Sequence, residues 1–147
     1  MKNAILIIAL SFMAESIVFA KDIISKEITV YKNPECGCCK KWVSYLKENN
    51  YKVIEKDTHN VLAVKKRLGV PEKVAACHTA VIDGYVIEGH VTNRDIKRLL
   101  LFRPEVKGIA VPGMPIGTPG MEQGNTKESY NVMSFDKDGN TKVYIKH

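Results

Sequence analysis

The stretch EITVYKNPECGCCKKW, residues 27–42, contains in order a strand pattern, a cysteine motif and the start of a helix pattern. Its first five residues alternate and are rich in β-branched side chains, as half-buried strands are. An Asn-Pro pair ends that strand, and Cys36, Cys38 and Cys39 fall in the turn that follows. From residue 40 to 49 apolar side chains recur at near-helical spacing. The stretch therefore predicts a strand that passes through a cysteine-bearing turn into a helix.

The chain that follows continues this alternation of strands and helices. The predicted elements are strands over 27–31, 51–55, 79–82 and 85–89 and helices over 40–49, 61–68 and 92–102. Asp83-Gly84 is a strong signal for a tight hairpin, and Thr92 with Asp95 forms a capping box that opens the third helix. The order β-α-β-α-β-β-α is that of a thioredoxin-like domain, an α/β fold whose mixed sheet is flanked by helices.

The C-terminal part is predicted to be an addition to that domain. Residues 111–124 are dense in Gly and Pro and contain Met114 and Met121, a composition typical of a loop. A last hairpin is expected from strands over 130–135 and 142–145. We therefore expect one domain with a Gly/Pro/Met loop and a hairpin extension.

The N-terminus has the pattern of a secretory signal peptide. Lys2 precedes an apolar run over 4–14, and Val18-Phe19-Ala20 supplies residues suited to a cleavage site. The run is shorter than the roughly 20 residues that a spanning helix needs. We expect residues 1–20 to be removed, so that residues 21–147 form an exported domain with no stable membrane anchor. An uncleaved anchor or a buried helix is the alternative.

The charge of the chain favours no particular partner. The formal net charge is +6 over 147 residues. The basic residues are scattered and form no long block of the kind found in nucleic-acid-binding tails. We interpret them as a solvated basic face and expect no nucleic acid partner.

Four cysteines in an exported chain normally indicate two disulfides. Cys36 and Cys39 form a C-x-x-C pair that can close easily, whereas a bond between adjacent Cys38 and Cys39 needs a strained ring. Cys38 could pair with Cys77 only if the fold brings them together. Two structural disulfides therefore remain one alternative among several.

Thiols at a helix N-terminus are acidified by the helix dipole and the free N–H groups. A thiolate is both the nucleophile of disulfide exchange and a soft metal ligand, so two functions follow. A thiol–disulfide oxidoreductase would use Cys36 as attacking thiol and Cys39 as resolving thiol. Cys38, next to the resolving thiol, would be able to scramble that pairing.

The stretch around Cys77 favours metal over exchange. Thioredoxin-like reductants usually place a cis-proline opposite the cysteines, and the corresponding residues 76–79 contain no proline. If the fold is as predicted, Cys77 faces the C-x-C-C turn as a fourth sulfur. Thiolates select Cu(I), zinc and iron–sulfur centres. The C-x-C-C spacing is too tight for a comfortable zinc shell, so a small sulfur-bridged Cu(I) cluster fits best, and zinc is less expected.

Other side chains offer weaker ligands. His78 and His90 could each add an imidazole, or could instead bond to the backbone or water at a strand edge. Met114 and Met121 could bring thioethers over the site, or could fill gaps against the sheet. His59 and His147 are expected to face solvent, and Trp42 is expected in the core.

Three blocks of sequence resemble a known bacterial family. They are C-G-C-C-K-K-W, then V-P-x-x-V-A-A-C-H-T-A-V-I-D-G-Y-V-I-E-G-H-V, then G-I-A-V-P-G-M-P-I-G-T-P-G-M. Together they are similar to the exported CopG-type proteins associated with copper resistance, a family formerly described as a domain of unknown function and unrelated to the DNA-binding repressor of the same name. The similarity extends over residues 28–121.

The resemblance implies a thioredoxin-like fold, a periplasmic location and Cu(I) held by Cys36, Cys38, Cys39 and Cys77. It also implies a role in copper tolerance, with cycling between dithiol, disulfide and metal-loaded states. Our leading hypothesis is a periplasmic copper-handling protein that either sequesters one or more Cu(I) ions on a four-thiolate site or relays them between a donor and an acceptor protein. The alternative is a thiol–disulfide oxidoreductase, with or without coupling to copper, so enzymatic activity stays open.

Overall fold

The computed structural model describes residues 27–147. The predicted signal peptide, residues 1–20, lies outside the described residues. The strands are β1 Glu27–Lys32, β2 Lys52–Asp57, β3 Thr79–Ile82, β4 Tyr85–Glu88, β5 Gly108–Ala110, β6 Asn131–Phe135 and β7 Thr141–Lys146. The α-helices are α1 Gly37–Glu48, α2 Val61–Leu68 and α3 Asn93–Phe102, and a short 3-10 helix spans Glu72–Val74.

All seven strands form a single mixed sheet in the order β2-β1-β3-β4-β5-β6-β7. β1 and β2 are parallel, whereas β3 is antiparallel to both β1 and β4. β5 pairs parallel to β4, and β6 and β7 extend the sheet as an antiparallel hairpin. The predicted α/β class, with a mixed sheet, flanking helices and a C-terminal hairpin, is confirmed.

Two apolar clusters pack on the sheet. The larger contains side chains from α1 and α3, including Trp42, Leu46 and Leu99, against strand residues such as Ile28 and Ile87. The smaller contains Val70, Val74, Val86, Ala110 and Phe135 and packs against Leu68 at the end of α2. Burial of such side chains is the main favourable term in folding, and it holds the helices against the strands.

Local capping fixes the ends of α2 and α3, and the cap of α3 is the one predicted. Gly69 ends α2 in the left-handed conformation, with φ +74°. The Thr92 side chain accepts a hydrogen bond from the Asp95 backbone N–H and begins α3. Asp83 and Gly84 form the turn between β3 and β4 with positive φ angles of 48° and 84°.

Several strand ends differ from the prediction by one or two residues, and two larger differences have a physical reason. Helix α1 begins at Gly37 instead of residue 40, because Cys36 caps it and draws the cysteine motif into the first turn. Strand β5 was not predicted, because three residues, Gly108–Ala110, are too short to show a period. Gly108 is required there, since a Cβ at this position would lie 2.1 Å from the Val86 carbonyl oxygen.

Within the described residues, no helix is long and apolar enough to cross a membrane.

Candidate metal centre

The cysteine motif lies at the N-terminus of α1, directly after β1. Cys36 has extended backbone angles, and its Sγ accepts a hydrogen bond from the Cys39 N–H at 3.3 Å. Cys36 and Cys39 are joined by a disulfide, with Cα atoms 5.3 Å apart, a separation normal for such a bond. The C-x-x-C pair has therefore closed, as its spacing allows.

Cys38 and Cys77 carry the two free thiols of the described chain. The Cys38 Sγ lies 3.5 Å from the Cys36 Sγ and 3.9 Å from the Cys77 Sγ. All four sulfur atoms lie within 4.8 Å of one another. Cys77, on the loop before β3, thus faces the C-x-C-C motif as the sequence predicted.

Two imidazoles face the same sulfur. His90 Nε2 lies 3.1 Å from the Cys77 Sγ, and His78 Nδ1 lies 3.3 Å from it. Both histidines are fully buried. The three ligand atoms lie within 4.8 Å of one another, so Cys77 belongs to both groups of convergent donors.

Backbone carbonyls fix the tautomer of each imidazole. His78 Nε2 donates to the Gly89 oxygen at 2.9 Å, and His90 Nδ1 donates to the Pro119 oxygen at 2.7 Å. In the neutral ring the other nitrogen then carries a lone pair, and in both rings that nitrogen faces Cys77. A hydrogen bond from the distal N–H to a carbonyl is the usual support of a metal-binding histidine. The donor set therefore fits a soft metal.

The burial of this site controls its protonation. Burial, together with the neighbouring Cys38, raises the pKa of the Cys77 thiol to about 12. Burial lowers the pKa of His78 well below its ordinary range, and the pKa of His90 is lowered for the same reason. The metal-free site thus holds a protonated Cys77 and neutral imidazoles. A bound cation would have to displace the Cys77 proton.

Comparison with known proteins places this geometry in a family. A family model described as a protein of unknown function, DUF411, matches residues 74–121. A solved structure named Copper resistance protein copG, Form 2, is 43% identical, with a TM-score of 0.78, 82% of this chain covered and 97% of that chain. The chain belongs to the CopG copper resistance family. Form 1 of the same protein gives 43% identity and a TM-score of 0.77, with 82% and 96% covered. No curated protein sequence matches.

The family membership confirms the resemblance drawn from the three sequence blocks. The family model spans residues 74–121, which contain the loop of Cys77 and His78, His90, and the Gly/Pro/Met loop. The solved CopG structures cover 82% of the chain and so extend the similarity well beyond that segment.

The Gly/Pro/Met loop lies against the centre. A Cβ on Gly120 would lie 2.8 Å from the Cys38 carbonyl oxygen, 3.0 Å from the Trp42 backbone nitrogen and 3.3 Å from His90 Nδ1. Glu122 accepts the Gly120 N–H with both carboxylate oxygens, at 2.9 and 3.0 Å. The loop is therefore an ordered cover over one side of the site. Sequence reasoning missed Gly120, although its place in the Pro-Gly-Met repeat was a signal for a special backbone conformation.

The two methionines of this loop differ in exposure. Met114 is 51% exposed. Met121 is half-buried, and its backbone bonds to Thr118 and Gly117 within the loop. A metal role for either thioether stays a prediction.

The remaining aromatic and histidine predictions have mixed outcomes. Trp42 is fully buried, donates to the Val91 oxygen at 3.0 Å and packs its ring 4.4 Å from that of His78, so its core position is confirmed. His59 is exposed, as expected. The expectation for His147 was wrong. Its side chain is 15% exposed because it stacks on Tyr130 and donates to Asp95 Oδ2 at 2.9 Å.

A polar network beside the centre was also missed. Lys65, Thr79 and Glu88 are buried and bonded to one another. Glu88 occupies a strand position whose neighbours are apolar, and a charged residue in such a run is a signal that it has a partner. Lys65 gave no signal, because it lies within a Lys-Lys-Arg run that is typical of a solvated helix face.

Proposed function

We propose that this copper-handling protein binds Cu(I) in the periplasm at a centre formed by Cys36, Cys38, Cys39 and Cys77. His78 and His90 are proposed as supporting ligands. The observation that carries the proposal is the position of the Cys77 sulfur, 3.9 Å from Cys38 and within 3.3 Å of two imidazole nitrogens. Membership in a copper resistance family supports copper as the metal.

The donor set favours Cu(I) over harder ions. Thiolate sulfur and imidazole nitrogen are soft or borderline donors, and thiolates select Cu(I) among the available metals. The four sulfur atoms lie within 4.8 Å of one another, which leaves little room for separate copper ions that share no sulfur ligand. Sulfurs at this spacing suit bridging between neighbouring ions, so we propose a small thiolate-bridged cluster.

The disulfide gives the site two loading states. With Cys36 and Cys39 bonded, the free ligands are Cys38, Cys77 and the two imidazoles. An external dithiol could reduce the disulfide, supplying two electrons and two protons and becoming a disulfide itself, which would restore the Cys36 and Cys39 thiols; metal binding would then release thiol protons. We propose that full copper loading follows reduction, and that the disulfide state holds less copper.

The periplasmic location is part of the proposal. It is supported by the signal-peptide pattern of residues 1–20 and by the disulfide between Cys36 and Cys39, because disulfides persist in oxidising compartments. A protein that exchanges copper there would need a donor or acceptor protein. We propose that the free thiols of Cys38 and Cys77 take part in that transfer.

The test is an anaerobic titration of reduced residues 21–147 with Cu(I) against a chromophoric chelator, with free thiols counted in parallel. We expect tight uptake of two or more ions and protection of all four thiols. Cys77→Ser should lower the copper stoichiometry, while His59→Gln, at an exposed position, should not. Unchanged stoichiometry in Cys77→Ser would reject the four-thiolate centre.

A second function is favoured by one observation. The Cys38 sulfur lies 3.5 Å from the Cys36 sulfur of the disulfide. Attack by a Cys38 thiolate would form a Cys36–Cys38 bond and release Cys39 as a thiolate, which is one step of thiol–disulfide exchange. An oxidoreductase of this kind should turn over a small disulfide reporter and lose turnover in Cys36→Ser. Absence of turnover at every copper concentration would exclude it.

A further inference from the structure

A buried ion pair lies on the side of the sheet that carries α2. Lys65 is 7% exposed and Glu88 is fully buried, and Lys65 Nζ lies 2.5 Å from Glu88 Oε1. Lys65 also donates to Thr79 Oγ1 at 2.9 Å, and that hydroxyl donates to Glu88 Oε2 at 2.6 Å. The three side chains form a closed network in which both Glu88 oxygens are used.

The network holds the segment of Cys77 and His78 from both sides. On one side the Ala76 backbone N–H donates to Glu88 Oε1 at 2.6 Å. On the other side Thr79 bonds to Glu88 and Lys65 through its hydroxyl. The two proposed ligands therefore lie between two anchored residues.

Gly89, directly after β4, forms two further hydrogen bonds with the same segment. The Gly89 N–H donates to the His78 carbonyl at 3.0 Å, and His78 Nε2 donates back to the Gly89 carbonyl at 2.9 Å. Gly89 has φ +74°, and a Cβ there would lie 2.7 Å from the Ala76 Cβ. Two consecutive residues, Glu88 and Gly89, thus fix the Cys77–His78 segment by hydrogen bonds. No peptide bond from residue 27 onward is cis. The segment is therefore held without the cis-proline that is usual in thioredoxin-like reductants.

We propose that Glu88 is a positioning residue for the copper centre, as the acceptor that fixes the Cys77–His78 segment opposite the C-x-C-C motif, with Lys65 balancing its buried charge. This inference rests on the proposed function. A buried ion pair is weak evidence for stability, because replacing both partners with apolar residues is often neutral or stabilising. The effect of the Glu88 acceptor should therefore be found in the position of Cys77 and His78.

Two matched double variants separate position from stability. Lys65→Met with Glu88→Gln removes both charges but keeps a side-chain oxygen to accept the Ala76 N–H. Lys65→Met with Glu88→Leu removes the charges and the acceptor. We expect the first pair to bind Cu(I) within about threefold of wild type and the second to bind at least about tenfold more weakly, the scale seen when ligand-supporting residues are lost. Equal affinities of the two pairs would overturn the proposal.

A second readout needs no metal. In the reduced, metal-free protein, the rate of Cys77 alkylation, resolved by peptide mass spectrometry, should rise in the Leu pair and stay near wild type in the Gln pair. Lys32→Met is the matched control, because Lys32 is 2% exposed and paired with Glu55 and Asp57 at the β1–β2 end of the sheet. Its Cys77 alkylation rate should not change.

The outcomes distinguish the two proposals. If wild type binds no copper, the proposed function fails, and the alkylation rates still test the positioning role. If the Leu pair does not fold, Thr79→Val removes only the hydroxyl between Lys65 and Glu88, and it should speed Cys77 alkylation by a few fold. An unchanged rate in Thr79→Val would then reject the positioning role.

Discussion

At the scale of single residues, the centre depends on positions where the backbone approaches closely. Gly120 has φ +89°, and its α-carbon faces the Cys38 carbonyl, the Trp42 backbone nitrogen and the His90 ring. A side chain at this position would push the loop away from the site and move the Pro119 carbonyl that orients His90. Cys77 and His90 are chemically recognisable in the sequence, whereas this requirement for glycine depends on a contact between distant segments.

Gly120→Ala should therefore weaken Cu(I) binding and lower the melting temperature. Gly113→Ala is the matched control, because Gly113 lies in the same loop with φ +70°, and a Cβ added there would have no atom within 4 Å. Both variants strain a left-handed backbone, at a cost of about 1 kcal/mol, but only Gly120→Ala meets the Cys38 oxygen. Equal copper affinities in the two variants, by chelator competition, would argue against the loop as a cover of the site.

At the scale of elements, the start of α1 joins a structural role to a chemical one. Cys36 caps the helix through its sulfur, and Cys38 and Cys39 occupy the first turn, where the helix dipole favours anions. The sequence predicted the strand–motif–helix order, but it placed the helix start at residue 40. Cysteine is not a usual capping residue, so the pattern did not reveal that Cys36 begins the helix.

Two substitutions at Cys36 separate the roles under reducing conditions. Cys36→Ser keeps an N-cap acceptor and should leave the free energy of unfolding close to that of wild type, whereas Cys36→Ala should lower it by about 1 kcal/mol. Both should lower copper stoichiometry, because both remove a thiolate. Chemical denaturation and copper titration measure the two effects. A stability loss of the same size in both variants would show that the sulfur does not act as a cap.

At the scale of the whole molecule, the sheet joins the motif after β1 to the loop before β3 and to the turn after β4. Periodicity and turn signals predicted the first four strands, the three α-helices and the last hairpin. They could not reveal β5 or the buried bonds of Lys65 with Glu88 and Thr79, since those depend on the pairing of segments far apart in sequence. The meeting of Cys77 with the motif was predictable only through the fold.

Burial of the histidines should make the stability of the metal-free protein fall at acidic pH. Burial lowers the pKa of His78 in the folded state, so below the ordinary pKa of 6.5 the unfolded chain binds a proton that the folded chain does not. Stability is then lost as the pH falls, by up to about 1.4 kcal/mol per pH unit for one such group. Urea denaturation between pH 7.5 and 5 should show this slope.

Two substitutions, one at a buried and one at an exposed histidine, test which residue causes the pH slope. His78→Gln should flatten the profile, whereas His59→Gln, at an exposed position, should leave it unchanged. His90, whose pKa is lowered in the same direction by burial, should supply part of the slope that remains. A profile that is as steep in His78→Gln as in wild type would show that His78 is not held neutral.

The central claim is that sulfur from the four cysteines, supported by His78 and His90, binds Cu(I) as a cluster. X-ray absorption spectroscopy of the reduced, copper-loaded protein at the copper edge tests it most directly. We predict a Cu(I) edge, a first shell dominated by sulfur with a smaller nitrogen contribution that falls in His90→Gln, and copper–copper scattering. A first shell of nitrogen and oxygen alone, without copper–copper scattering, would contradict the claim.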